Sequence, residues 1–231
     1  MEELAPLTAQ QLDALPLFPL RRLVFFPGTV LPLHIFEARY KAMLHYCLNE
    51  SASALALGML REDGTVAKDA SHPAVHSVAG VGRISEWQEL PNGNFAVLLQ
   101  GVMRVNVERE LETSHPFRLV KATPRPDVSD GSAGDDLQSK LALVNCASHI
   151  VATIQREHAD FSLDINVNMP AGYLADLVAD RLVSDAEVRQ RLLEQACPTT
   201  RLLETLSCAS ELLALLNRGR SATSDPPCLA N

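Results

Sequence analysis

The sequence predicts an α+β protein in which a β-rich N-terminal half precedes a helical C-terminal half. Short β-like runs and one amphipathic helix fill the chain to about residue 123, whereas apolar residues beyond residue 136 recur at spacings of three and four. The charge differs as well. Residues 1–123 carry 11 Lys and Arg against 13 Asp and Glu (net −2), and residues 124–231 carry 9 against 15 (net −6). The two halves are therefore predicted to form different structural units.

The chain opens with an apolar stretch that four prolines interrupt: Pro16, Pro19, Pro27 and Pro32. Each proline fixes φ near −65° and removes a backbone donor, so neither a long helix nor a central strand is expected through them. Short extended segments joined by tight turns are predicted instead. Phe26-Pro27-Gly28 is typical of such a turn, because glycine adopts a positive φ readily after proline.

An amphipathic helix is predicted over residues 37–49. One stripe of this helix is apolar, with the polar residues off it: Tyr40, Met43, Leu44, Cys47 and Leu48. Glu37 and Arg39 stand at the start of the helix, where Glu37 suits the positive end of the helix dipole. We interpret both residues as structural.

Further short strands are predicted after this helix, at residues 54–60, 78–84, 95–100, 102–107 and 117–122. Asn92-Gly93 lies between two of them and is a strong hairpin signal. Five or six short strands with one helix favour a closed or half-closed β-structure, because closure removes exposed strand edges.

The predicted domain limits follow from composition and periodicity. Residues 1–123 form the β-rich part, and residues 124–136, rich in Pro, Gly, Ser and Asp, form a linker or mobile loop. Residues 137–219 form a helical bundle, and residues 220–231 a flexible tail. Within the bundle, helices are predicted over residues 137–157, from Pro170, from a capping box at Ser184–Glu187, and over residues 200–217 with Gly219 as C-cap.

Composition argues against several classes of protein. A net charge of −8 and a single Trp are unfavourable for nucleic-acid binding, and no run of eighteen apolar residues predicts a membrane span. The acidic N-terminus lacks the features of a signal peptide. Five cysteines without a CxxC motif fit reduced thiols, so we expect a cytoplasmic protein.

Three residue pairs are candidates for chemical sites: His72 with His76, His45 with Cys47, and Cys146 with His149. The first pair flanks a proline and lacks a neighbouring Glu, and both cysteines lie among apolar helix positions. We interpret all three pairs as structural. No catalytic residue, metal site or cofactor is predicted.

The candidate binding surface comprises Phe25, Phe26 and Pro27, with His34 and Phe36 close behind in the sequence. An exposed aromatic residue beside proline is a suitable recognition element for apolar peptide segments. The alternative, left open, is that both phenylalanines pack between the β-structure and the first helix. Three further residues are given structural roles, with the Arg bracing the β-structure from a strand: Gly28, Gly101 and Arg104.

The opening stretch closely resembles the start of the Lon protease N-terminal domain. Gly80-Val81-Gly82-Arg83-Ile84 and Leu99-Gln100-Gly101-Val102-Met103-Arg104-Val105 resemble its central strands, and weaker matches continue through the helices to about residue 217. The resemblance implies an N-terminal pseudo-β-barrel with one packed helix, followed by an α-helical bundle.

The resemblance implies substrate binding without catalysis. The sequence has no G-x-x-x-x-G-K-S/T phosphate-binding loop, and none of its four lysines stands in the context of the Lon Ser–Lys dyad. We therefore expect a non-catalytic module that binds unfolded polypeptides or a partner protein. It would serve as an adaptor or holdase in protein quality control, with an AAA+ protease acting in trans as one partner. The alternative is a small-ligand-binding protein or enzyme that uses the cleft between the two halves.

Overall fold

The chain divides into two compact units. A computed structural model describes residues 7–51, 53–61, 73–128 and 137–223. The first unit comprises residues 1–128 together with residues 185–196, and the second comprises residues 129–184 and 197–231. Residues 185–196, which the sequence analysis placed with the bundle, thus belong to the β-rich unit.

The first unit contains the six strands found in the described residues. Its elements are helix α1 (Ala9–Asp13), strands β1 (Leu15–Leu20) and β2 (Val30–Ile35), helix α2 (Ala38–Asn49), strands β3 (Ala54–Met59), β4 (Val78–Glu89), β5 (Phe95–Leu111) and β6 (Arg118–Pro124), and helix α5 (Ala186–Glu194). The second unit contains the helices α3 (Leu137–Ile154), α4 (Ala171–Leu182) and α6 (Pro198–Thr223). The predicted α+β class is confirmed.

The strands close into a ring that is not a regular barrel. The sheet order is β2-β5-β4-β3-β1-β6, and β6 pairs with β5 again, so five strands complete a circuit while β2 flanks β5 outside it. Among the strand pairs of the described residues, β1–β3 alone is parallel. Register shifts bend β4 and β5. They explain why the residues of β5 alternate poorly and why the sequence pattern predicts two strands there. The predicted pseudo-barrel and the β4–β5 hairpin are confirmed.

Three glycines let the opening segment cross the sheet. A Cβ atom at Gly80 would lie 1.9 Å from the Phe25 carbonyl oxygen, and one at Gly101 would lie 2.2 Å from that of Phe26. At Gly82 the contact is with a side chain, because a Cβ atom there would lie 2.7 Å from the Phe25 ring. These backbone approaches require the absence of a side chain, which gives the glycines of both resemblance motifs a physical reason.

Helix α2 covers one face of the sheet. Its buried side chains are those of the predicted stripe, Tyr40, Met43, Leu44 and Cys47, with Leu48 half-buried. They pack against apolar residues of the strands, including Phe18, Phe25, Leu57, Phe95 and Leu99. A second apolar cluster of smaller side chains packs around Leu15, Leu17, Val81, Val105 and Val120.

Helix α5 is held to the strands mainly through its C-terminal carbonyls. Arg104 Nε donates to Leu193 O at 2.9 Å, and Arg125 Nη2 donates to Glu194 O at 2.7 Å. Gln190 Nε2 donates to Val78 O at 3.0 Å. Two guanidinium groups at a helix C-terminus complement both the unpaired carbonyls and the helix dipole.

The second unit packs three helices around an apolar core. Its buried members come from all three helices, among them Leu143, Ile150, Leu174, Val178 and Leu202. Arg201 Nε lies 3.0 Å from Asp176 Oδ1, and both side chains are almost completely buried. This ion pair joins α6 to α4 inside the core. Removing one partner would leave the other charge buried without its counter-charge.

Two predicted helix ends are wrong. The cap of α5 is Asp185 rather than Ser184, because the Asp185 carboxylate accepts the Val188 N–H at 3.0 Å. Helix α6 runs past Gly219 to Thr223, since a glycine inside a long helix costs only about 1 kcal/mol and does not end it. Residues 129–136 of the predicted linker, residues 224–231 of the predicted tail, and His72 lie outside the described residues.

Candidate functional site

A groove of about 1190 Å³ lies within the β-rich unit. It is bordered by the end of β1 (residues 18–21), the end of β2 with the start of α2 (residues 33–37, 39 and 40), and the segment that joins β5 to β6 (residues 110–113 and 115–118). Segments about 15 and 80 residues apart in sequence thus form its walls.

The groove concentrates aromatic side chains. Four of the eleven Phe, Tyr and Trp residues of the chain line it: Phe18, Phe36, Tyr40 and Phe117. The rings of Phe18 and Tyr40 lie 4.1 Å apart, and His115 stacks on Phe117 at 4.9 Å. Burial raises the pKa of Tyr40, and the nearby Arg39 guanidinium partly opposes this shift. Phe36 is 61% exposed, whereas the other three rings are 5–7% exposed and belong to the apolar core at the base of the groove.

The charged residues of the groove include two opposite pairs. Arg39 contacts Glu37 at 2.8 Å and also lies over the Tyr40 ring, 4.5 Å from its centroid. Arg118 forms an ion pair with Glu110 and donates to Pro73 O at 3.0 Å. The pairing leaves an aromatic groove with polar walls.

The structure separates the five predicted binding residues. Phe25 and Phe26 are 2% and 0% exposed, so the prediction of an exposed aromatic surface there is wrong. Phe25 packs with α2 and the strands, as the alternative expects. The carbonyl oxygens of both residues lie against the glycines described above. Pro27 is half-buried and does not line the groove.

His34 and Phe36, in contrast, both line the groove. Their rings lie 5.9 Å apart, and both side chains are exposed. Glu37 and Arg39, assigned structural roles from the sequence, also lie along this wall. Sequence reasoning missed Phe18 and Phe117, since nothing in their local pattern shows that β1 and β6 bring them beside α2.

The predicted structural residues lie in the β-rich unit. Gly28 has a φ of 78° after Pro27, and its N–H donates to Gly101 O at 2.9 Å, as the predicted turn requires. Arg104 is 5% exposed and contacts α5 as described, as well as Asp127 at 3.8 Å. Both glycines and Arg104 therefore serve packing and backbone geometry.

The His45–Cys47 pair on α2 does not form a nucleophilic site. Cys47 is fully buried, and burial raises the pKa of its thiol to about 12. His45 points to a different neighbour, the Phe95 ring, with ring centroids 5.5 Å apart. Across the described ranges 7–51, 53–61, 73–128 and 137–223, no three His, Cys, Asp or Glu residues are grouped as metal ligands would be.

Comparison with known proteins places this fold in one family. A family model of the ATP-dependent protease La (LON) substrate-binding domain matches residues 14–210. The chain belongs to the Lon substrate-binding domain family. The match spans both units and confirms the resemblance drawn from the opening stretch and the glycine motifs.

Curated relatives of this Lon-type chain are much longer than the chain itself. Lon protease of Anaeromyxobacter dehalogenans is 26% identical over 214 residues, covering 90% of this chain and 25% of the relative. Lon protease 2 of Myxococcus xanthus is 25% identical over 216 residues, covering 91% and 25%. The chain thus spans about a quarter of the length of these relatives.

Solved structures agree on the fold. The N-terminal domain of Mycobacterium avium complex Lon protease superposes with a TM-score of 0.61 at 20% identity, covering 85% of this chain and 98% of that one. A Lon N-terminal domain protein from Xanthomonas campestris gives 0.59 at 21% identity, with 84% and 97% covered. In the described part of the chain, no helix is both long and apolar enough to cross a membrane.

Proposed function

We propose that this chain is a non-catalytic module that binds polypeptide segments in the aromatic groove of its β-rich unit. The observation that carries the proposal is the groove itself, with Phe18, Phe36, Tyr40 and Phe117 on its walls, in a member of a substrate-binding domain family. Aromatic rings supply large apolar contact area, and their clustering in one concave region is typical of recognition sites.

The size of the groove favours a polypeptide over a small ligand. Pockets for small molecules are usually about 300–1,000 Å³ and enclose most of their ligand. The groove of about 1190 Å³ is larger, and it is bounded by strand ends and by the β5–β6 connection. We infer that an extended segment of several residues occupies this volume.

Two finer roles are part of the proposal. As a holdase, the module would keep unfolded polypeptides from aggregating by covering their apolar segments. As an adaptor, it would present them to an AAA+ protease in trans. Cys47 and Cys146 are not joined in a disulfide, which fits the reducing cytoplasm as the place of action.

The test uses a fluorescently labelled, permanently unfolded polypeptide such as reduced and carboxymethylated α-lactalbumin. Binding is followed by anisotropy, with the folded, disulfide-intact protein as the competitor that should not displace it. We expect saturable binding of the unfolded form only. Equal binding of both forms, or none of either, would contradict the proposal.

A pair of matched variants locates the site. Phe36→Ser removes an exposed ring from the groove, and we expect at least about a tenfold loss of affinity, or roughly 1.4 kcal/mol. Trp87→Ser removes an aromatic residue that is 51% exposed but does not line the groove. Affinity should be unchanged in this control. Equal losses in the two variants would show that the groove is not the site.

A further inference from the structure

Strand β2 forms an edge of the sheet. It pairs with β5 over residues 30–35, and within the described residues no strand lies on its other side. An edge strand presents unpaired N–H and C=O groups on which another extended chain can form a new strand pair. Natural edges are usually protected, so an unprotected stretch indicates use.

The backbone alternation of β2 shows which groups point outward. Gly101 N–H donates to Thr29 O at 2.8 Å, so Thr29 faces β5 at the end of the pairing. In an antiparallel pair this orientation alternates, and Leu31, Leu33 and Ile35 therefore also face β5. The backbone groups of the residues between them therefore point to the open edge: the N–H and C=O of Val30 and His34, and the C=O of Pro32.

Pro32 protects the middle of this edge, because proline has no N–H to donate. Its neighbour on the edge, His34, has both groups. Residues 33–36 also line the groove, so the unprotected end of the edge is the part that opens on the aromatic wall. An added strand that pairs with His34 would place alternate side chains toward this wall.

The charge of the groove specifies the occupant further. The described residues that line it include three arginines, Arg21, Arg39 and Arg118, and three glutamates, Glu37, Glu110 and Glu112. Their formal charges cancel, whereas the whole chain carries −8. A groove without net charge gives no preference to an acidic or basic segment, and its rings favour an uncharged apolar one.

We propose that an extended, uncharged segment of an unfolded polypeptide binds by strand addition to the outer edge of β2 at His34. Its alternate side chains then contact the aromatic wall. This inference rests on the proposed function and adds to it the binding mode and the class of segment. Main-chain hydrogen bonds supply sequence-tolerant affinity, as a binder of many unfolded chains requires.

The test uses one probe peptide in three forms. The peptide has an uncharged core of alternating Phe and Val between Gly-Ser ends and a soluble polyethylene glycol tail. Two isomers carry N-methyl groups on alternate residues. In the first isomer all methyl groups lie on one edge of the extended peptide, and in the second they all lie on the opposite edge. They have the same composition and apolarity, but each blocks main-chain pairing on a different edge.

Strand addition predicts that one N-methylated isomer binds at least tenfold more weakly than the other, which should match the unmodified peptide. Equal affinities of the two isomers, whether both strong or both weak, would overturn the proposal. Strong binding of all three forms would leave the groove function standing and remove only the strand pairing. Binding of none would remove the proposed function itself.

A second arm changes the protein. His34→Pro removes the outward N–H together with the imidazole, whereas His34→Ala removes the imidazole alone. With folding checked by circular dichroism, we expect His34→Pro to lose at least tenfold in affinity for the unmodified peptide and His34→Ala to lose less than threefold. Equal losses in both variants would assign the contact to the side chain and overturn strand addition. The peptide isomers decide the question if His34→Pro does not fold.

Discussion

At the scale of single residues, the fold requires glycine at positions 80 and 101, because no side chain fits there. The carbonyl oxygens of Phe25 and Phe26 occupy the positions where Cβ atoms of Gly80 and Gly101 would lie. Interiors are close-packed, so these carbonyls have no room to move away. A Cβ atom at either glycine would clash with these backbone carbonyls. Unlike a side chain, the backbone cannot avoid the clash by adopting another rotamer.

Gly80→Ala is therefore expected to lower the free energy of unfolding by about 3 kcal/mol, because its methyl group would meet the Phe25 carbonyl oxygen at 1.9 Å. Urea denaturation measures this change. Gly58→Ala is the matched control, since its nearest neighbour is the end of the Leu17 side chain at 3.0 Å, which can shift. Losses of equal size would contradict the assignment of Gly80 to the crossing.

Cys47 gives a second residue-scale prediction. Because burial raises the pKa of its thiol to about 12, almost no thiolate forms at pH 8, and iodoacetamide should leave Cys47 unmodified in the folded protein. The half-buried Cys146 is the internal control and should be alkylated. Peptide mass spectrometry distinguishes the two, and denaturant should make Cys47 react. Fast labelling of Cys47 in the folded state would contradict its burial.

The same thiol predicts a pH dependence of stability. An acid whose pKa is higher in the folded state than in the unfolded state keeps its proton longer when folded. Its stabilising contribution is complete below the unfolded pKa, near 9, and is lost as the pH rises toward about 12. Cys47→Ala should therefore show a weaker loss of stability in this alkaline range.

At the scale of elements, the start of α5 shows how a local cap fixes a helix end. The Val188 N–H that donates to Asp185 holds the pKa of this carboxyl below its ordinary value. The carboxylate also lies at the positive end of the helix dipole. Thr8 and Gln11 form a complete capping box at the start of α1.

Asp185→Ala is expected to lower the urea midpoint at pH 7. Because the pKa of Asp185 is lowered on folding, its contribution is present above about 3.8 and is lost as the pH falls through the folded-state value. The difference between variant and parent should therefore shrink at pH 3. Ser184→Ala, at the position first predicted as the cap, should change the midpoint little at either pH. Equal shifts of the urea midpoint in both variants would contradict the assignment of Asp185 as the helix cap.

At the scale of the whole molecule, the chain passes from one unit to the other three times. It leaves the β-rich unit at residue 128, returns for residues 185–196 and leaves again. The returning segment is anchored by Arg104 and Arg125, and Val128 N–H donates to Ala196 O at 2.9 Å. The β-rich unit is therefore completed by a segment that lies far along the sequence.

A truncated chain of residues 1–128 should be less stable than the same chain joined by a Gly-Ser linker to residues 185–196. Without α5, the buried Arg104 loses its hydrogen bond to Leu193 O, and we expect a difference of about 3 kcal/mol in the free energy of unfolding. Urea denaturation of both chains provides the measurement. Equal stability would show that α5 is dispensable for the unit.

Much of the fold could be predicted because its signals are local. The Tyr40–Leu48 stripe, the Asn92-Gly93 hairpin and the Pro27-Gly28 turn each depend on a few neighbouring residues, and the structure confirms all three. The helix cap at Ser184 failed by one residue, because Ser and Asp are both good caps and stand side by side. Of the candidate surface, only His34 and Phe36 reached the groove.

The sequence by itself determined the α+β class, the family and the main helices, since periodicity, prolines and glycine motifs act through the local backbone. Only the tertiary structure decided that Phe25 and Phe26 are core, that α5 belongs to the β-rich unit, and that Phe18 and Phe117 meet Tyr40 in one groove. Burial and convergence depend on strand pairing between distant segments. A linear pattern does not contain that pairing.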